Sequence, residues 1–408
     1  MLDFQSGRRW YSPFRSDMIL RPHGGYLTSW DSNETMAALT LVCKSWQPAA
    51  TTVMYRSVAL TRPHSDEVFL RTLASTIPSR ASKVKFLVLS IGEDAPFSPD
   101  ALITSEQFYF ASINLIKILS LCSSSVTHLQ VHPLHSAARE PLFAAIKSLS
   151  QLRTLVCSPR FYQPDAAMMG EEGSWGSELY SRTDLYDLAL PAMLDTLELD
   201  FGSSWSARHF PIHNGLDPTN LRRLRLRCDT DDDVLWQVLG QCTGLEVCEL
   251  YFEKLLSRDE TTAALRGSTD SMKHLSFLSK YAQFSPTMDD LASFDSAAQP
   301  LFDRLLPAYI KLETLAVSAT EISTDVFRLL PASLKSLTIQ AFNHVSTFIY
   351  TPQLVSDLAV AQYAKGLESL SVHDAAEAWD EVEIGNLRQA CEKRGVLFYF
   401  RPDSEVGM

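Results

Sequence analysis

The chain has 408 residues, of which 46% are apolar and 21% are charged, so its composition excludes a disordered or fibrous protein. Its formal net charge of −12 argues against a nucleic-acid partner, which would require a basic face. The 7 cysteines include no CxxC pair, and no signal-peptide or membrane-spanning pattern is present. We therefore expect a reduced protein of the cytoplasm or nucleus that does not bind a membrane.

Residues 1–30 show no periodic pattern and predict an irregular segment, whereas residues 31–60 predict two short helices and the start of a strand. Apolar residues at positions i, i+3, i+4 and i+7 give the first helix one apolar face. They are Leu39, Val42, Cys43 and Trp46. Pro48 suits the first turn of the second helix, and the segment from Val58 to Leu60 predicts the first strand.

A six-residue pattern, apolar-x-x-Leu-x-apolar, then recurs ten times. The middle anchor is leucine in nine of ten copies, and the x positions are apolar in 5 of 30 cases, against about 14 expected at this composition. The copies begin at Val84, Val126, Leu152, Leu194, Leu221, Leu245, Met272, Leu312, Leu334 and Leu367. Each copy fits a short strand with two anchors on one face. Because no copy can bury that face alone, the copies must stack.

These stacked copies resemble leucine-rich repeats, and helical patterns precede several of them. We therefore predict that residues 61–408 form an irregular leucine-rich-repeat solenoid of the α/β class, with a parallel sheet on one face and helices on the other. The predicted helices are Pro141–Leu149, Asp232–Leu239, Gln299–Leu306 and Ile384–Lys393, the last followed by Gly395 and a strand at Val396–Phe400. The longest insertion, Ser158–Pro191, is either a functional or a mobile loop.

The segment ahead of the repeats resembles the C-terminal half of an F-box. Its Val42-Cys43-Lys44-x-Trp46 core and its Met54-Tyr55-Arg56 ending match the family pattern in order and spacing. An F-box followed directly by leucine-rich repeats implies a substrate-recognition adaptor of a cullin-type (SCF) ubiquitin ligase. The resemblance implies that the ligase adaptor subunit contacts Leu39, Val42, Cys43, Lys44, Trp46, Met54 and Tyr55.

Residues 1–35 lack the Leu-Pro and the first apolar helix of that family. The alternative is therefore a leucine-rich-repeat interaction scaffold that does not bind the ligase.

The open, polar face of the sheet is the expected binding surface for a protein substrate. The expected contacts are Thr196, Glu198, Arg223, Arg225, Val247, Glu249, Tyr251, His274 and Ser276. Two interpretations remain for the arginines between Arg222 and Arg227. They bind an acidic or phosphorylated substrate, or they neutralise the carboxylates of the neighbouring copies. Arg223 has no acidic residue at its own position in either neighbouring copy, so it is the arginine most available to a ligand.

Enzyme motifs for nucleophilic, phosphate-binding or zinc-dependent chemistry do not occur in the sequence. We therefore expect no catalytic residue, no cofactor and no metal site, although a catalytic site in the long insertion is a third alternative. The acidic run Asp229–Asp233 lacks the glycine and the distant glutamate of a calcium loop. It fits the N-terminus of a helix better.

Overall fold

The computed structural model divides the chain into two compact units, one ending at Asn220 and the other beginning at Leu221. It describes residues 44–60, 65–75, 80–89, 105–131, 134–135, 138–157, 161–162, 190–200, 216–228, 233–252, 258–279, 300–341, 351–360, 362–374 and 381–402. The predicted contacts Leu39, Val42 and Cys43 lie outside these residues, as do residues 1–30 and most of the long insertion.

The N-terminal unit consists of short parallel strands and the helices that connect them. Its strands are β1 (Ser57–Leu60), β2 (Phe86–Leu89), β3 (His128–Val131), β4 (Leu134–His135), β5 (Thr154–Cys157), β6 (Phe161–Tyr162) and β7 (Thr196–Asp200). Its helices are α1 (Gln47–Arg56), α2 (Ser65–Ser75), α3 (Ser105–Leu121) and α4 (Arg139–Lys147). Five strands pair in the order β1-β2-β3-β5-β7, and β4 pairs with β6 separately.

The C-terminal unit repeats the same plan with seven strands in chain order. They are β8 (Arg223–Cys228), β9 (Val247–Phe252), β10 (His274–Ser279), β11 (Thr314–Ser318), β12 (Ser336–Ala341), β13 (Ser369–Asp374) and β14 (Leu397–Pro402). The helices are α5 (Asp233–Gln241), α6 (Arg258–Arg266), α7 (Leu301–Leu305), α8 (Val326–Leu329), α9 (Thr351–Ala359) and α10 (Glu381–Arg394). Every pair of neighbouring strands is parallel.

The strand register places equivalent anchors side by side. Leu275 pairs with Leu315, which pairs with Leu337 and then with Leu370. All ten predicted copies form strands, and all thirty anchors are buried. The α/β leucine-rich-repeat fold is therefore confirmed, as are the first strand β1 and the last strand β14. Each fully buried anchor contributes about 1.5–3 kcal/mol of hydrophobic stabilisation.

Helices cover the anchor side of the strands. The ring of Phe277, the third anchor of β10, packs edge-on against Phe302 of α7 with 5.5 Å between ring centroids. Helix α10 ends at Arg394 because Gly395 adopts a φ of +72°, which other residues reach only with strain. The amides of Gly395 and Val396 then donate to the carbonyls of Glu392 and Cys391, which closes the helix and directs the chain into β14.

Replacing a buried anchor is expected to destabilise the C-terminal unit far more than replacing an exposed leucine of the same sheet. Leu337→Ala should lower the free energy of unfolding by about 2–5 kcal/mol, because it removes a leucine and leaves a cavity. The matched control Leu397→Ala should change it by less than about 0.5 kcal/mol, because that side chain is exposed. Urea denaturation followed by circular dichroism measures both values, and equal losses would contradict the register.

Candidate interaction site

Helix α1 presents an exposed apolar stripe formed by Trp46, Ala49 and Val53. These residues follow each other at spacings of three and four, so they lie on one side of the helix. Trp46 is 61% exposed and Val53 is 55% exposed. Pro48 lies in the first turn, as predicted, where its missing amide costs no helical hydrogen bond. Of the other predicted contacts, Lys44 is exposed and Met54 is half-buried.

Tyr55 belongs to the opposite side of α1 and is buried in the N-terminal unit. Arg80 donates from Nη1 to the Tyr55 hydroxyl at 3.2 Å, and its guanidinium lies over the ring, 5.3 Å from the centroid. The ring also stacks on Phe69 of α2. Tyr55 therefore attaches α1 to the first repeat and is not presented to a partner. The sequence resemblance did not distinguish the buried Tyr55 from the exposed residues of the same motif.

The open sheet face differs between the two units. In the N-terminal unit, the expected substrate contacts Thr196 and Glu198 are buried, as are Gln130 and Val156 at equivalent positions of the neighbouring strands. The expectation of an accessible face therefore fails at Thr196 and Glu198, because a partner cannot reach side chains with so little exposed area. The accessible part of the face begins at β9, in the C-terminal unit.

Arg225 and Glu249 form an ion pair across β8 and β9. The Nε of Arg225 donates to Oε2 of Glu249 at 2.7 Å. Their side chains are 5% and 26% exposed, respectively. This pair confirms the predicted neutralisation between neighbouring copies, and it leaves Arg225 committed to the sheet. Arg223 is half-buried beside Val247, and it forms no ion pair with any residue in the described ranges.

Charged residues of alternating sign line the edge where the strands of the C-terminal unit begin. This edge ladder consists of Arg222, Glu246, Lys273, Glu313, Lys335 and Glu368. Each residue from Arg222 to Lys335 accepts, through its backbone carbonyl, an amide hydrogen bond from the next member, so their side chains are neighbours. The sequence analysis considered charge pairing only between the arginines from Arg222 to Arg227 and the carboxylates of the two neighbouring copies, among them Glu246. The other members occupy the same motif position in the next four copies.

Two ion pairs set the charge state of this ladder. Lys273 donates from Nζ to Glu246 at 2.8 Å, and Lys335 donates to Glu313 at 3.0 Å. The hydrogen bond from Lys273 lowers the pKa of Glu246, and the hydrogen bond from Lys335 lowers the pKa of Glu313. The pKa of Lys335 is raised by the same bond to Glu313. All four side chains are well exposed, so solvent screens both pairs and they stabilise the fold little.

The accessible face of strands β10 to β13 carries six serine and threonine side chains with one histidine and one alanine, a set here called the hydroxyl patch. Its members are His274, Ser276, Thr314, Ala316, Ser336, Thr338, Ser369 and Ser371. The predicted contacts His274 and Ser276 belong to it, whereas Val247, Glu249 and Tyr251 lie beside it on β9 and are half-buried. Loss of solvation lowers the pKa of His274, so the patch is uncharged at neutral pH.

Strand β14 continues this face with three exposed side chains that the sequence analysis did not select. Leu397, Tyr399 and Arg401 pair in register with Ser369, Ser371 and His373 of β13. They form the β14 stripe, in which Leu397 is 60% exposed and Tyr399 is 52% exposed. Leu397 and Tyr399 occupy the motif positions of the predicted contacts His274 and Ser276, and Arg401 occupies the position of Tyr251. Aligning the final strand with the ten copies would therefore have found them.

Other chemistry is little represented in the described part of the chain. Cys122, Cys157, Cys242, Cys248 and Cys391 are free and buried, and burial raises the pKa of the first three to about 12. Such thiols are poor nucleophiles at neutral pH. Within the ranges given above, no three His, Cys, Asp or Glu side chains lie close enough to hold a metal ion. No helix in those ranges is long and apolar enough to span a membrane.

Comparison with known proteins gives distant structural similarities, of which one is described here. No protein-family model and no curated protein match the chain. A crystal structure of a TLR13–ssRNA13 complex is similar with a TM-score of 0.32 and 15% sequence identity, over 78% of this chain and 39% of that one. The chain thus spans about two fifths of the length of that protein. A similarity this distant concerns the fold alone and does not bear on function.

Substitution of Arg225, which forms the buried ion pair, should affect stability far more than substitution of Arg223, which does not. Arg225→Met is expected to lower the free energy of unfolding by about 3 kcal/mol, because it leaves the Glu249 carboxylate partly buried without its partner. Arg223→Met, the matched control, should change it by less than about 0.5 kcal/mol. Chemical denaturation of the two variants measures the difference, and a stable Arg225→Met protein would contradict the structural role.

The edge ladder predicts a loss of stability in acid. A carboxyl group whose pKa is lower in the folded than in the unfolded protein stabilises the fold above its unfolded pKa, about 4.3 for glutamate. That stabilisation disappears as the pH falls through the folded pKa. Removing the titrating group in Glu246→Gln should therefore make the melting temperature less dependent on pH below about 4.3. Melting curves across this range, with Glu381→Gln as the control, test the prediction; an unchanged pH dependence contradicts it.

Proposed function

We propose that this protein is a substrate-recognition adaptor of a cullin-type ubiquitin ligase. In this proposal the segment around α1 binds the ligase adaptor subunit, and the repeats bind a protein substrate. The observation that carries the proposal is that one side of α1 is buried against the repeats while the opposite side is exposed and apolar. One side holds the helix on the first repeat through Tyr55, and the other presents Trp46 and Val53 to solvent.

The exposure of Trp46 supports a partner at this helix. A large indole side chain at the surface loses hydrophobic stabilisation that burial would provide, and tryptophan is among the residues that dominate binding energy at protein interfaces. Of the F-box-like motif Val42-Cys43-Lys44-x-Trp46, the described residues Lys44 and Trp46 are both exposed. The helix leads directly into β1, so a subunit bound at Trp46 would be connected to the repeats without a flexible linker.

The repeats support the second half of the proposal. Their accessible face in the C-terminal unit is polar, uncharged over the hydroxyl patch, and bounded by exposed leucine and tyrosine side chains. Such a surface offers hydrogen bonds and apolar contact area to a polypeptide. An adaptor of this kind needs no reacting side chain of its own, because it contributes proximity and orientation to a reaction performed elsewhere.

The adaptor half of the proposal predicts a specific loss of binding. Trp46→Ala should weaken binding to the purified ligase adaptor subunit by about thirtyfold, as expected for loss of a tryptophan that contributes about 2 kcal/mol. Val382→Ala, at an exposed apolar residue of the C-terminal unit, should leave binding unchanged. Isothermal titration calorimetry gives the affinities, and thermal unfolding checks that both variants remain folded.

If the wild-type chain does not bind the ligase adaptor, the ubiquitin-ligase role is wrong. The leucine-rich-repeat scaffold is then the remaining function, because the accessible face of the C-terminal unit does not depend on Trp46.

A further inference from the structure

The accessible face of the C-terminal unit is asymmetric in charge and polarity. At its β9 end, Glu249 is neutralised by Arg225 at 2.7 Å. Across the hydroxyl patch no member carries a charge at neutral pH, since His274 has a lowered pKa. At its β14 end, Arg401 is exposed, and its guanidinium has no hydrogen-bond or ion-pair partner among the described residues. The β14 end of this face therefore carries a cation without an ion-pair partner among the described residues, beside the exposed Leu397 and Tyr399.

The β14 stripe has the side-chain period of an extended peptide. Leu397, Tyr399 and Arg401 lie at alternate residues, so their Cα atoms follow each other at about 6.6 Å. An extended segment lying along β14 presents its own alternate side chains at the same spacing. Two apolar side chains could then contact Leu397 and Tyr399 while a carboxylate pairs with the Arg401 guanidinium. Exposed tyrosine and arginine side chains are also those enriched where interfaces are strong.

The neighbouring hydroxyl patch suits the main chain of such a segment. Its side chains are small, so a peptide backbone can approach the sheet closely. Hydroxyl groups both donate and accept hydrogen bonds, which matches the alternating N–H and C=O groups of an extended chain. Ser369 and Ser336 already bond to each other at 2.9 Å. The hydroxyl of Ser371, which lies directly beside Tyr399, has no hydrogen bond to another described residue.

We propose that strands β13 and β14 bind an extended acidic peptide segment in which two alternate apolar side chains are followed, two residues later, by an aspartate or glutamate. This inference rests on the proposed function only in that the repeats bind the substrate, and it adds the chemical class of that substrate. The carboxylate is a side chain of the segment. The segment is held by Leu397, Tyr399 and Arg401, with Ser369 and Ser371 bonding its backbone.

The test is a selection with blocked heptapeptides, acetylated at one end and amidated at the other. The second and fourth positions are randomised among apolar residues, and the sixth position is glutamate in one pool and lysine in the other. Immobilised full-length wild-type protein should retain the glutamate pool, as measured by mass spectrometry. Arg401→Glu should reduce that retention by at least about tenfold and favour the lysine pool. Lys311→Glu, an equal charge change at an exposed residue outside the stripe, should retain the glutamate pool as the wild type does.

Three outcomes overturn the proposal: retention of neither pool, equal retention of both, or unchanged selection by Arg401→Glu. A third pool, with a free C-terminal carboxylate and no acidic side chain, tests whether the site binds a chain terminus and not an acidic side chain. Its preferential retention would also overturn the proposal.

The ligase half of the proposed function is measured separately. The Arg401→Glu protein should bind the ligase adaptor subunit as the wild type does, because Arg401 and Trp46 belong to different units. A failed peptide selection with intact adaptor binding therefore removes only this inference.

Discussion

The stacking of equivalent anchors is the constraint on which the rest of the structure depends. A four- to six-residue strand cannot exclude water from its own leucines, so each copy becomes stable only when the next copy covers the same positions. Parallel pairing in register achieves this, because Leu315 then lies between Leu275 and Leu337 on one face. The same register fixes the other face. Whatever occupies the alternate positions is displayed in rows at the strand spacing of about 4.8 Å.

Polar chemistry outside the anchor rows takes two forms. Close to the strand starts, the rows carry charges of opposite sign, and lysines such as Lys273 and Lys335 pair with the glutamates before the neighbouring strands. In the middle of the accessible face the rows carry small hydroxyl side chains instead. Charges there would be partly desolvated and would need partners, as Arg225 needs Glu249. Short hydroxyl side chains tolerate half-burial at lower cost and leave room for another chain.

Sequence reasoning predicted the strands well because their signal is local and repeated. Ten copies of one pattern identify the anchors, and Gly395 marks the end of the last helix. It predicted the helices less completely, and α3 is not among the predicted ones. Its buried residues Leu115 and Ile118 share it with exposed ones such as Phe110, so no single apolar face stands out. The sequence did not predict how exposed each side chain is. Thr196 and Ser276 both occupy alternate positions of their strands, yet only Ser276 is accessible.

One explanation for the exposure of Leu397 and Tyr399 is that β14 is the edge strand of the described sheet, with no further strand paired to it. Their direction argues otherwise. The absence of a further paired strand exposes anchor side chains and the outer backbone edge of the last strand. Leu397 and Tyr399 are not anchors: they occupy the alternate positions, in register with Ser369 and Ser371. The residues between them, Phe398 and Phe400, are half-buried, and Phe398 lies beneath Arg388 of α10. The apolar exposure therefore belongs to the open face, where a further strand would not cover it and a bound segment would.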